Sequence, residues 1–160
     1  MGTSAAIALS SNPRALVISF DLLQFAITHA AVQYLHATFP GRLSMVRGDS
    51  RSTIARFAAL HPEVKCDVIF VDGGHSAEIA LSDFRQFRVL AHSETKVIAD
   101  DMQNGDVAAA WAAAIAEGLI VELEPVLHDN DIADVKWKNS AEVTEGALGV
   151  ARYVQGGRVR

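Results

Sequence analysis

The stretch Asp67–Ser76, DVIFVDGGHS, sets four apolar residues in a row and then an acid, two glycines, a histidine and a serine. A short apolar run without alternation, rich in Val, Ile and Phe, reads as a central strand of a parallel sheet, Asp67–Val71, covered on both faces. Asp72, Gly73 and Gly74 end it in a tight turn. From Ser76 the period changes to that of a helix reaching about Ala91.

The same change of period repeats on either side. Upstream, Ala15–Phe20 reads as a strand and Leu22–Phe39 as a helix that Pro40 and Gly41 stop. Arg42–Arg47 is a second strand, followed by a helix from about Ser52 to Leu60 that ends before Pro62. Downstream, Lys96–Ala99 makes the next strand, and Asp106–Glu117 is an Ala-rich helix closed by Gly118. Leu119–Leu123 is a short strand. Asp134–Lys138 and Gly149–Val154 then form a closing antiparallel hairpin, with His128–Ala133 as a polar loop able to lie over a site. Strands alternating with helices predict an α/β, Rossmann-like, doubly wound and mostly parallel sheet in a single domain over residues 1–160.

Composition narrows what such a domain does. Half of the 160 residues are hydrophobic, 21% are charged and the formal net charge is −5, the profile of one globular domain. The cations are scattered, densest at Arg152, Arg158 and Arg160, which argues against a nucleic-acid surface and for a small-molecule partner. The longest apolar stretch, Val107–Ile120, falls short of the roughly 20 residues of a membrane span. Met1–Asn12 lacks the basic start and apolar centre of a secretory signal, and the single cysteine, Cys66, reads as a small core residue. The expected location is the reducing cytoplasm.

In open parallel sheets, ligands bind outside the carboxyl ends of the strands. Here the first strand ends in Asp21, the second in Gly48, Asp49 and Ser50, the third in Asp72, Gly73, Gly74 and His75, and the fourth in Asp100 and Asp101. Turn and capping preferences explain any one of these acids, and Asp49 or Ser50 is as well placed to cap the next helix as to touch a ligand. An acid after every strand is poorly explained that way. Asp21 is placed to accept from the hydroxyls of an adenosine ribose, and Asp49 and Ser50 lie one strand further out, where an adenine amino group could bind.

Asp100 and Asp101 face Asp72 across neighbouring strand ends, where like charges repel unless a cation or shared proton intervenes. Three oxygen donors with open positions suit Mg²⁺. The competing account has one of the pair capping the loop while the other meets a Lys or Arg. His75, three residues after Asp72, is within reach as a general base or an additional metal ligand. His29, His36 and His61 read as surface residues.

The order and spacing of Ser19–Leu22 (SFDL), Gly48–Ser50 (GDS), Asp67–Ser76 and Ile98–Asp101 (IADD) resemble the class I S-adenosylmethionine-dependent methyltransferases of the small-molecule O-methyltransferase type. The resemblance reaches Gly146–Val154 (GALGVARYV), similar to that family's last antiparallel strand. It implies that Asp21 and Leu22 contact the ribose side of S-adenosylmethionine, that Asp49 and Ser50 lie by the adenine, and that Asp72 and Gly73 sit near the methionine part. In the metal-dependent branch it implies Asp72, Asp100 and Asp101 as ligands of a divalent ion, Mg²⁺ in the first instance. Asp72 and His75 would be the catalytic residues, with transfer of the sulfonium methyl to a hydroxyl.

One departure stands out. Such a family member carries a strand and a glycine-rich cofactor turn before this point, and here Gly2, Thr3 and Ser4 are what remains of the cofactor loop. The expectation is an amino-terminally truncated chain, a fragment or a misassigned start; alternatively another segment, or a subunit of a homo-oligomer, fills the gap. Two other functions compete: an NAD-dependent oxidoreductase, which requires a G-x-G-x-x-G turn that is not visible, and a catalytically inactive methyltransferase-like binding protein.

Overall fold

A computed structural model describes residues 2–128 and 147–154. The chain falls into two compact units, residues 1–60 and 61–160.

In the first unit, helix α1 (Thr3–Ser11) precedes strand β1 (Val17–Asp21), helix α2 (Ala26–Thr38), strand β2 (Leu43–Arg47) and helix α3 (Ser50–Leu60). Strands β1 and β2 are parallel, with Val17 opposite Leu43 and Asp21 opposite Arg47. Nothing in the sequence pattern marks α1, because TSAAIALSS has neither a capping side chain nor a charged face. Its helix is fixed by packing instead: Leu9, Leu35 and Leu43 bury themselves together, with Ala5, Ala6, Phe39 and Met45 against them. Its end is held by Arg42, whose guanidinium donates to the carbonyls of Leu9 (2.8 Å) and Asn12 (2.9 Å) while lying 5.0 Å from the centre of the Phe39 ring. Helix α2 starts four residues later than its apolar pattern suggests. The Leu23 N–H turns back to Asp21 Oδ1 at 2.6 Å, and Leu23 takes the left-handed φ of 51°, which breaks the helix period there.

The second unit contains β3 (Cys66–Val71), α4 (Ala77–Phe87), β4 (Ala91–Ala99), α5 (Gly105–Ala116), β5 (Ile120–His128) and β6 (Ala147–Tyr153). Its four strands run in the order β3-β4-β6-β5. β3 and β4 are parallel, and β6 runs antiparallel to both β4 and β5, so the carboxyl-terminal antiparallel ending is present. Its predicted first strand, Asp134–Lys138, lies outside the described residues, as do residues 129–133 of the expected loop.

Two expectations need correction. DVIFV is not covered on both faces: β3 is the edge of this sheet among the described residues, with Ile69 and Val71 buried but Val68 56% and Phe70 37% exposed. β4 is also longer than KVIA. A short 3₁₀ turn, Arg88–Leu90, ends α4, and Ala91 already pairs with Cys66. The register then shifts before Val68 meets Lys96, and the buried Thr95 hydroxyl closes the irregularity by donating to the Cys66 carbonyl at 2.6 Å and accepting from the His92 N–H at 2.8 Å.

The core of this unit lies between the sheet and helices α4 and α5. Phe84 meets Trp111 edge to face at 5.7 Å, the Trp111 indole N–H donates to Glu122 Oε2 at 2.8 Å, and the buried Tyr153 hydroxyl donates to the Phe84 carbonyl at 2.8 Å. Burial holds the Tyr153 phenol far above its ordinary range, so it acts as a neutral donor. Gly149 leaves room for the indole: a Cβ there would stand 3.0 Å from Trp111 Cζ2. Cys66 packs half-buried against this core, and burial, then the Asp67 charge, push its thiol up, as befits a structural residue. No helix of the described residues is long and apolar enough to cross a membrane.

Candidate active site

Parallel strands that end level deliver their following residues to one edge, and each unit does so with acids. In the first unit, the Gly48 N–H donates to the Asp21 carbonyl at 3.0 Å, joining the ends of β1 and β2. Asp21 lines a small pocket with Gly2, Ser19 and Thr28, so the first residue of the expected cofactor loop and the expected ribose acceptor share a surface. Gly2 has φ 87°, and a Cβ there would meet that of Ala31 at 3.1 Å; Thr3 and Ser4 follow in the first turn of α1. Leu22 is exposed.

Asp49 serves the helix that follows it. Its Oδ1 accepts from the Arg51 backbone N–H at 2.9 Å, its carboxylate meets the Arg51 guanidinium at 2.6 Å, and its carbonyl accepts from Ser52 and Thr53. These Arg51 hydrogen bonds hold the Asp49 carboxyl below its ordinary range. The capping reading of Asp49 is thus realised, and Ser50 is the first residue of α3.

In the second unit, the Asp100 N–H donates to the Val71 carbonyl at 3.0 Å, which sets Asp72 beside Asp100 and Asp101. Although Asp72 is exposed, partial desolvation raises its carboxyl above its ordinary range, the charges of Asp100 and Asp101 raise it further, and His75 opposes them. Of the expected metal ligands, the structure gathers Asp72 and Asp101 with His75: one ligand atom from each, all within 4.8 Å of one another. His75 Nε2 stands 2.9 Å from Asp101 Oδ2. Asp100 is turned differently, its Oδ1 accepting from the Asp101 N–H at 2.8 Å. The donor set, two carboxylates and an imidazole on an open edge, fits a divalent ion.

Asp101 is held from several sides. Its φ of 57° is a left-handed conformation that a non-glycine residue adopts at a cost of order 1 kcal/mol, and such residues gather at functional sites. Its carbonyl accepts from the Asn104 N–H at 2.8 Å. The Gln103 side chain spans the site: its amide donates to Asp101 Oδ1 at 2.8 Å while its Oε1 accepts from the Ala147 N–H at 2.9 Å. Sequence reasoning passed over Gln103, and its one visible signal is its place two residues after the acid pair. Beneath the loop, a Cβ on Gly73 would stand 3.1 Å from Asp83 Oδ2, and one on Gly74 would stand 2.9 Å from Ile79 Cδ1, so both glycines let the loop lie flat on α4. His29, His36 and His61 are exposed.

An α/β domain with helix-flanked parallel strands and acids at their carboxyl ends belongs to the Rossmann-like class. Within it, the pattern of a family described as a methyltransferase domain matches residues 1–102, and the chain belongs to that family. No curated protein matches the sequence.

Solved structures share the fold. CalS11, a TDP-rhamnose 3′-O-methyltransferase of calicheamicin biosynthesis, is 18% identical with a TM-score of 0.57, over 92% of this chain and 64% of its own. The fibrillarin of Aeropyrum pernix, solved with natively bound S-adenosyl-L-methionine, is 12% identical with a TM-score of 0.62, over 94% of this chain and 62% of its own. LaPhzM is 17% identical with a TM-score of 0.61, over 94% of this chain. The chain spans only 46% of LaPhzM. At such identities the likeness is one of fold.

Proposed function

We propose that this chain is the catalytic domain of an S-adenosylmethionine-dependent O-methyltransferase that acts on a hydroxyl of a small molecule with the help of a divalent cation. The observation that carries the reading is the gathering of Asp72, His75 and Asp101 beside paired parallel strand ends in a chain of a methyltransferase family. Cofactor binding falls to Gly2, Thr3, Ser4, Asp21, Leu22, Asp49 and Ser50 on the first unit and to Asp72 and Gly73 on the second. Asp21 contributes the charged acceptor for the ribose hydroxyls.

In the transfer, the methyl carbon's bond to the sulfonium sulfur breaks as its bond to the acceptor oxygen forms, the hydroxyl proton leaves, and S-adenosylhomocysteine is released. The protein's share is alignment of oxygen, carbon and sulfur. A bound divalent cation would supply a Lewis acid that lowers the hydroxyl's pKa. Asp72 and Asp101 would hold it, with the Asp100 charge beside them, and Mg²⁺ is the simplest occupant of an oxygen set. Two tasks are open to His75 at its distance: taking the hydroxyl's proton, or joining the cation's ligands. The scattered cations favour a small acceptor over a nucleic acid, and the reading keeps the enzyme in the cytoplasm, where a homo-oligomer is compatible with it.

Calorimetric titration of the protein with S-adenosylhomocysteine, with and without Mg²⁺, is the test. The expected result is micromolar binding; no heat and no thermal shift under either condition would sink the proposal. A second reading, a methyltransferase-like domain that binds a partner in place of catalysis, is favoured by the exposed Val68 and Phe70 on the β3 edge. It predicts a stable complex and no cofactor uptake.

A further inference from the structure

We propose that His75 is itself a ligand of the cation, and that the site of Asp72, His75 and Asp101 therefore prefers a later first-row transition ion such as Co²⁺ to Mg²⁺. The inference rests on the reading above, that a divalent cation binds at this edge, and decides between the two tasks open to His75.

Three observations carry it. The first is distance. Neighbouring ligand atoms around an octahedral ion with bonds of about 2.0–2.1 Å lie about 3 Å apart, and His75 Nε2 is 2.9 Å from Asp101 Oδ2. The third donor, from Asp72, completes a set within 4.8 Å. A separation that serves a hydrogen bond in the free protein equally serves two donors sharing one ion.

The second is the competition among the acids. An all-oxygen site would use Asp100, yet among the described residues the ligand atoms that lie within 4.8 Å of one another come from Asp72, His75 and Asp101. Asp100 Oδ1 instead accepts from the Asp101 N–H at 2.8 Å. The imidazole is already among the gathered donors.

The third is orientation. Asp101 Oδ1 is held by the Gln103 amide, whose other end is fixed to the Ala147 N–H of β6. This leaves Oδ2, the oxygen facing His75, as the one turned to the ion. A carboxylate so held resembles the outer-shell arrangements that fix metal ligands.

Imidazole raises affinity for the later first-row ions far more than for Mg²⁺, which prefers carboxylate, carbonyl and water oxygens. With three protein donors, the remaining positions of an octahedral ion stay open to water and an acceptor hydroxyl. Gln103 is then a positioning residue, acting on the ion through Asp101.

The test uses the full chain and the metal ions alone. Calorimetry is expected to give Co²⁺ an affinity at least about tenfold above that of Mg²⁺. His75→Ala is expected to lower Co²⁺ affinity about tenfold or more while leaving Mg²⁺ affinity within about twofold, and His75→Gln should behave alike. Electron spin-echo spectroscopy of the Mn²⁺-loaded protein should show coupling to an imidazole nitrogen, absent in His75→Ala. His75 is exposed, so these variants are expected to fold, and circular dichroism checks that. Asp100→Asn should leave nitrogen coupling in place.

Binding of Mg²⁺ as tight as that of Co²⁺, or Mn²⁺ binding without nitrogen coupling, overturns the His75 assignment and leaves the cation reading standing. Failure of the parent protein to take up any of the three ions overturns the cation reading itself, and this inference with it.

Discussion

At the scale of single residues, the acids of this chain set function against stability. Asp72, though exposed, is held with its proton more tightly than in the unfolded chain, because partial desolvation and then the Asp100 and Asp101 charges disfavour its ionised form. The native state thus binds the proton over a pH range where the unfolded chain has lost it. Stability therefore falls as pH rises from the ordinary carboxylate range through the raised value, and stays lower above it. Asp72→Asn should melt at a higher temperature than the parent at pH 7 in cation-free buffer, with a flatter pH profile in the acid range. It should also lose the rise in melting temperature that a divalent cation gives the parent. Calorimetric scans at several pH values check both; an equal or lower melting temperature at pH 7 would show that Asp72 is stabilised by its neighbours. Asp21 answers to a different experiment. Asn keeps an oxygen for the Leu23 N–H, which Asp21 Oδ1 accepts at 2.6 Å, and removes the charge. Asp21→Asn should weaken S-adenosylhomocysteine binding about tenfold, the scale of one charge-assisted hydrogen bond, without a change in melting temperature. Affinity within twofold of the parent would remove Asp21 from the cofactor residues.

At the scale of elements, the parts written in side-chain pattern were legible and the parts written in packing were not. VISFD, LSMVR and CDVIFV announce themselves as strands by their apolar runs, and the glycines, prolines and acids after them mark the turns, so the strand ends carrying Asp21, Asp72, Asp100 and Asp101 could be read directly. Helix α1 could not, since its stability comes from Leu9 meeting Leu35 and Leu43, neither of them near in sequence. Nor could the edge position of β3: an apolar run looks alike whether or not a neighbour covers it. At the site, the sequence pointed to the acids and to His75 but not to Gln103, whose role depends on Ala147, 44 residues away. Arg42 shows how long-range ties complete an element. It donates at the carbonyl end of α1 and just beyond it, a set of charge-assisted bonds to Leu9, Asn12 and Ala15. Arg42→Ala should cost about 2 kcal/mol and lower helical ellipticity, whereas Arg42→Lys recovers only part, because an ammonium cannot reach three carbonyls in the guanidinium's fork. Denaturant titration followed by circular dichroism reads this, and an unchanged midpoint for Arg42→Ala would mean that apolar packing alone keeps α1 folded.

At the scale of the whole molecule, the two units differ in how their strands are supported. Among the described residues, β1 and β2 each have a single neighbour, and the cluster beneath them is built on Leu9, Leu35 and Leu43. In the other unit, β4 and β6 each have neighbours on both sides, and the core spreads from Ile69 through Phe84 and Trp111 to Tyr153. Opening a strand with two paired edges over a broad core breaks more at once than opening one at the margin of a small sheet. Amide hydrogen exchange should therefore be slowest at Val97–Ala99 and Val150–Ala151 and faster across Val17–Asp21 and Leu43–Arg47. The proposed function adds a second expectation: since Asp21, Asp49 and Ser50 are its nucleoside residues, S-adenosylhomocysteine should slow exchange in β1 and β2, whereas a divalent cation alone should act at Asp72–His75 and Asp100–Gln103. The two ligands thus separate the cofactor proposal from the cation proposal within one measurement. Cofactor-induced protection confined to the second unit would remove the nucleoside role from the first, and equal protection of all strands without ligand would show that the smaller cluster is not the weaker one.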